Sequence, residues 1–130
     1  MITSTSHKAE VMKRFEKAFQ ETSRAYDQKL HEVIRTPMLW PGNFGTTYRR
    51  SGEVVSGNFR NIYDLGDLDR SQMKTPLSPF QDRYSWGHHS AIVHEGATLR
   101  NGKRIAPRRF TRVAAYEMNI PQTFAREFSA

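Results

Sequence analysis

The chain contains no cysteine, so neither a disulfide framework nor thiolate chemistry is open to it. It also lacks long hydrophobic runs. No stretch approaches the ~20 apolar residues of a membrane span. The opening Met-Ile-Thr-Ser-Thr-Ser-His-Lys has none of the apolar core of a signal peptide. These absences predict a soluble, unprocessed protein, compatible with a reducing cytosol. Apolar residues are scarce at 37%, and mean hydropathy is −0.72, which fits a protein with disordered parts or one completed by neighbours. Aromatic residues nevertheless reach 12%, and rings that bury so much area argue against wholesale disorder. A length of 130 residues suits a single domain, 1–130, with a core of its own and no metal or disulfide staples.

Patterns of catalysis are missing too. No Gly-rich phosphate loop and no specific Ser/His/Asp order occurs. His88, His89, His94 and Glu95 lie close together, and imidazole and carboxylate are ordinary zinc or iron ligands. The His-Glu-x-x-His spacing that sets two ligands on one helical face is absent, however, and a strand sends His88 and His89 to opposite sides. Few acids stand near enough to complete a four-ligand shell. The expectation is a polar histidine pair at a rim, with His94 hydrogen-bonded to backbone near Gly96. A nuclease needs a general base and a metal clamp, and this run does not supply both. Asp64, Asp67 and Asp69 lack the later bidentate glutamate of a calcium loop, so they read as a surface turn. No catalytic residue, no metal ligand set and no cofactor is expected; the chain does not read as an enzyme.

What the chain does carry is positive charge. Net charge is +7, and it is unevenly spread. Between Gly96 and Arg112 stand Arg100, Lys103, Arg104, Arg108, Arg109 and Arg112 with no acid among them, whereas the segment Lys8 to Arg35 is almost balanced. A local positive stripe favours an acidic partner, either a phosphate backbone or a negative protein surface.

Residues 7–35 read as one long amphipathic helix. Val11, Phe15, Ala18, Phe19, Ala25, Tyr26, Leu30, Val33 and Ile34 recur at three- and four-residue steps on one face. Ser6 is the expected N-cap, and Pro37 stops the helix. Trp40-Pro41-Gly42-Asn43 forms a turn with a buried ring as its anchor. Residues 46–50 and 53–56 are β-prone, separated by Gly52. Asp67 or Asp69 caps a short helical turn ending at Ser71, and residues 73–81, with Pro76 and Pro79, read as a mobile loop. Residues 83–86 form a strand, and 90–95 suit either a helix or a strand. Asn101-Gly102 predicts a type I′ hairpin over 98–105, whose tip carries Arg100, Lys103 and Arg104. Three roles stand open for that tip: a solvated arm, contact with DNA phosphates without sequence reading, or docking onto an acidic protein face. Residues 111–128 close the chain as helix, with Pro121 either kinking it or starting a second one. The sum is an α+β domain: a long N-terminal helix and a C-terminal helix packed on a small antiparallel β-sheet with a protruding basic hairpin.

Two motif segments complete the picture. The first runs from Arg60 to Ser71 and contains an Asp-x-Gly-x-Leu-x-x-Ser pattern at Asp64, Gly66, Leu68 and Ser71. The second holds Tyr84 and Trp86, then His94-Glu95-Gly96, then Pro107, Arg109 and Phe110 in a Pro-x-Arg-Phe pattern. This ordered set resembles the neck and tail-completion (tail terminator-like) proteins of tailed bacteriophages. The resemblance covers a little under half the chain. It implies a virion structural protein that forms a homomeric ring joining head connector to tail, with six subunits favoured and twelve the alternative. Implied partners are further copies of itself, head connector or adaptor proteins, and tail tube or terminator proteins. The implied location is the head–tail neck of the virion, with the host cytoplasm during assembly. It implies that Gly96 makes a turn and that Phe110 enters the core. The sequence departs from the pattern at Leu65, where threonine is common, at Arg108, where a small residue is common, and at His88-His89, which replace an aromatic. The alternative from another class is a sequence-independent nucleic-acid-binding module, which the net charge favours. Such a module interleaves stacking aromatics with its cations, and between Gly96 and Arg112 only Phe110 qualifies.

Overall fold

The computed structural model describes residues 4–64, 66–87 and 90–130. Helix α1 spans Ser4–Arg35, ~48 Å at 1.5 Å per residue. It starts upstream of the expected residue 7, because no glycine or proline interrupts the run there, so Ser6 lies inside the helix and is not its N-cap. At the far end the expected stop holds: the Thr36 amide still bonds Glu32 O at 2.9 Å, and Pro37 has no amide to continue. Ala18, Leu30, Val33 and Ile34 are buried as the periodicity requires. Thr22 and Ser23 are buried in the same stripe. The Thr22 hydroxyl is satisfied by Ala18 O at 2.7 Å, which is why a polar residue is tolerated there.

After α1 come β1 (Met38–Leu39), β2 (Thr46–Tyr48), β3 (Val54–Ser56), β4 (Phe59–Arg60), α2 (Asp67–Ser71), β5 (Met73–Ser78), β6 (Gln81–Ser85), α3 (Ser90–Glu95), β7 (Ala97–Thr98), β8 (Arg104–Ile105), α4 (Phe110–Met118) and α5 (Ile120–Ser129). The class is α+β. The expected sheet is divided into four two-stranded antiparallel pieces, β1–β4, β2–β3, β5–β6 and β7–β8. Pieces that small cannot bury a face on their own, and the helical layer is α1 packed against α4 and α5. The core joins Leu30, Val33 and Ile34 of α1 to Trp40, Ile62, Phe110 and Ala114. Trp40 anchors its turn as expected: it is 2% exposed, and its indole donates to Arg60 O at 2.8 Å. A second, peripheral aromatic cluster sets Phe15 edge-on to Phe80, Phe124 and Phe128.

Three local expectations are corrected and one open alternative is decided. Residues 73–81 are not a mobile loop but most of the β5–β6 hairpin, with Pro76 opposite Asp82. A two-stranded ribbon has only edges, so a proline whose missing amide faces outward is accommodated, and Phe80 pins the tip to Phe15 and Phe19 of α1. Neither Asp67 nor Asp69 caps α2; the cap position is Gly66, with φ +79°. Asp69, 3% exposed, instead accepts from His31 Nδ1 at 2.5 Å and Arg35 Nε at 2.7 Å, which ties α2 to α1. The Asn101-Gly102 hairpin is present but its turn is not type I′, because only Gly102 has a positive φ there, +82°. Leu99 N bonds Lys103 O at 2.8 Å and Gly102 N bonds Leu99 O at 3.0 Å, a type I turn closed by a left-handed glycine. The Asn101 side chain accepts from Lys103 N at 3.0 Å, which holds it out of the left-handed region. Arg49–Glu53 repeats this turn, with Gly52 in the glycine position. Finally, the closing segment is two helices. Asn119 breaks it at φ +51°, accepts from Gln122 N and leaves Pro121 in the first turn of α5.

Two outcomes follow from this packing. Phe110→Ala removes a ring that is 1% exposed and should lower unfolding free energy by about 3–5 kcal/mol in urea titration. The Tyr84 hydroxyl donates to Ser23 O at 2.8 Å, and burial pushes its phenol up to about 12. Its folded-state pKa is raised, so the neutral phenol's contribution is complete below the ordinary value of ~10 and is lost as pH climbs through about 12. Melting temperature against pH should therefore fall less steeply over that window in Tyr84→Phe.

Candidate functional site

The two motif segments, far apart in sequence, meet around Phe110. Trp86 and His94 each set an edge against its ring, with centroids 5.1 Å apart in both cases. The Trp86 indole donates to Gln72 Oε1 at 3.1 Å. Ser71 Oγ accepts from Gly87 N at 3.0 Å and donates to Leu68 O at 2.9 Å, joining the first segment to the second. Tyr84 sits edge-on to Tyr26 of α1, 5.2 Å between centroids. Asp64 accepts from the amides of Arg50 and Ser51 at 3.2 and 3.3 Å, so it closes the tip of β2–β3. Gly66 and Gly96 are both positions where a side chain has no room. A Cβ on Gly96, at φ +75°, would stand 2.3 Å from Ile105 O, and one on Gly66 would stand 2.7 Å from the Tyr63 hydroxyl. Pro107 follows that contact, and the Arg108 amide then bonds Val93 O at 2.8 Å.

His94 does not bond backbone as expected. Its Nδ1 donates to Glu95 Oε1 at 2.6 Å, and its Nε2 accepts from Thr111 Oγ1 at 2.5 Å, because α3 and the start of α4 are brought side by side. Glu95 also pairs with Arg109 at 3.3 Å. The His94 hydrogen bond, helped by Arg109, holds the Glu95 carboxyl below the usual range. His88, His89 and Leu65 lie outside the described residues. Among the described residues no group of three or more His, Asp or Glu side chains is placed to hold a metal ion, and no helix is long and apolar enough to cross a membrane.

The cations divide into three kinds. Arg100, Lys103 and Arg104 are exposed on the β7–β8 hairpin. Arg49 and Arg60 are structural. Arg60, 4% exposed, donates to Gly45 O, Gly57 O and Thr47 Oγ1. Arg49 donates to Asn61 and to Tyr63 O, binding β2–β3 to the chain that leads into α2. Arg108 belongs to neither group. It lies over the Phe44 ring, 5.6 Å from the centroid, and burial together with Arg60 and Arg49 pulls its pKa down to about 10. It lines a cavity of about 550 Å³ together with Arg49, Asp64 and Ser71.

Sequence reasoning passed over Arg49 and gave Arg60 and Asp69 no buried role, since a buried charge looks like any surface charge until its partners are known. Arg108 did carry a signal, as a bulky cation where the resembling pattern has a small residue. Compared with protein-family models, curated proteins and solved structures, the chain finds no match. Since the tip cations are exposed, the triple change of Arg100, Lys103 and Arg104 to Ser should leave unfolding free energy within about 0.5 kcal/mol of the parent in urea titration.

Proposed function

We propose that the protein is a virion structural component of a tailed phage, a neck, tail-completion or tail terminator-like subunit that closes into a homomeric ring between head connector and tail. The mechanism is assembly: a self-complementary subunit closes a ring when the rotation between neighbours divides a circle. The observation that carries this reading is that the two resembling segments are joined, Gly87 N bonding Ser71 Oγ at 3.0 Å, while Trp86, His94 and Phe110 of the second form one packed unit. Exposed apolar pairs add support. Leu39 opposite Phe59 and Tyr48 opposite Val54 are 75%, 66%, 80% and 58% exposed, and such ribbons are suited to burial against neighbouring subunits. Six copies is the favoured stoichiometry, with twelve the alternative at the portal side.

A second reading rests on the exposed, basic tip of the β7–β8 hairpin. Arg100, Lys103 and Arg104 there suit a sequence-independent nucleic-acid contact. Imaging of purified protein and of the parent virion should reveal six- or twelve-fold rings at the head–tail junction. A monomer that is also absent from virions would overturn the assembly reading. In the same preparations, salt-sensitive DNA retention that disappears when Arg100, Lys103 and Arg104 become Ser supports the second reading, and no retention by the parent protein removes it.

A further inference from the structure

Arginine has five N–H donors and loses its charge only at extreme pH, so a buried guanidinium normally has acceptors around it. Arg49 and Arg60 obey that rule with several oxygens each. Arg108 does not. Its Nε is buried with no hydrogen-bond partner among the described residues, and the charged groups acting on it are two further arginines, with no carboxylate. Phe44 explains how its face and stem are accommodated, but a ring accepts none of the in-plane donors. Arg108 is half-buried, lines a cavity of about 550 Å³ and has two arginines as its charged neighbours, so among the described residues its guanidinium has no counter-anion.

We propose that this cavity is a carboxylate-binding site in which Arg108 takes a single monoanionic group. The planar guanidinium fork matches a carboxylate with two parallel hydrogen bonds. The walls set the charge of the ligand. Arg49, Arg50 and Arg108 share them with Asp64 and Asp67. Asp67 is already paired with Arg50 at 2.6 Å, and Asp64 accepts the amides of the β2–β3 tip. Among the lining side chains, three arginines and two aspartates, the balance is one positive charge, which one carboxylate neutralises. A phosphate dianion brings a second negative charge against the two aspartates. Ile62, Leu68 and Val93 also line the space, so the carboxylate arrives on a short apolar stem. A small free carboxylic acid and a glutamate or aspartate side chain of a docked protein offer that same chemistry. The site does not depend on the assembly reading.

The test is to titrate the full-length protein with sodium acetate, with the backbone-blocked glutamate N-acetyl-glutamate methylamide, whose side-chain carboxylate is free, and with sodium phosphate, against sodium chloride at matched ionic strength. The Arg108 Nε–H resonance and the melting temperature are the readouts. Acetate should move the Arg108 resonance saturably and raise the melting temperature relative to chloride, and Arg108→Met should melt without any acetate response. Arg108→Lys, which keeps charge but loses the fork, should respond more weakly than the parent. Tighter binding of the blocked glutamate than of acetate identifies a protein side chain as the natural source; equal binding identifies a free acid. Two results would overturn the site: an Arg108 resonance indifferent to both carboxylates, or a phosphate response stronger than either. Because the resonance is read in the unmodified protein, the test stands even if a variant fails to fold.

Discussion

The burial of Phe110 against the C-terminal half of α1 is the contact on which the other arrangements depend. Phe110 is the first residue of α4, so the side chain that begins the last helical pair is also a central one in the core. Its ring receives the edges of Trp86 and His94, which fixes β6 and α3 at the same time. No one of the four two-stranded ribbons has a hydrophobic face large enough to persist alone. Two of them are tied to this core or to α1, β1–β4 through Trp40 and β5–β6 through Tyr84 and Phe80, and β2–β3 is held by Arg49 to Asn61 and Tyr63. A chain with 37% apolar residues can fold in this way because a few rings serve several elements at once.

The positive charge of the chain is less uniform in purpose than its +7 balance suggests. Arg49 and Arg60 act as links between hairpins, each donating to several backbone oxygens. Buried carbonyls must be paired, and in short ribbons the guanidinium fork reaches several of them together. Arg100, Lys103 and Arg104 have no such duty and face solvent. Arg108 stands between the two groups, half-buried, with its Nε enclosed and without a partner among the described residues. For that reason the hairpin tip and the Arg108 cavity are separate questions, although they lie within one basic stretch of sequence.

Much of this was legible from residue order. The spacing of Ala18, Leu30, Val33 and Ile34 announced α1, Pro37 its end, Trp40 a buried anchor and Asn101-Gly102 a hairpin. The α+β class followed from one long periodic segment beside several short β-prone ones. The misreadings share a cause. Pro76 and Pro79 argued for a loop because local rules count a proline against a strand, yet an edge position and the anchoring of Phe80 outweigh them. Asp69 resembled a capping residue because nothing in its own neighbourhood names His31 and Arg35 as its partners. His94 was assigned to backbone because Thr111 is distant in sequence and adjacent only once α3 and α4 pack together.

The sequence alone therefore determined what depends on short-range sterics and periodicity. These are the long helix and its stop, the turns at Gly52 and Gly102, the α+β class, and the absence of thiol chemistry. Only the tertiary structure decided which charges are buried and which are free, because desolvation and pairing depend on neighbours tens of residues away. It made Arg60 a fastener, left Arg100 in solvent, and placed Arg108 beside a cavity with its Nε unpaired. The three side chains are chemically identical, and their surroundings in the fold give them different roles.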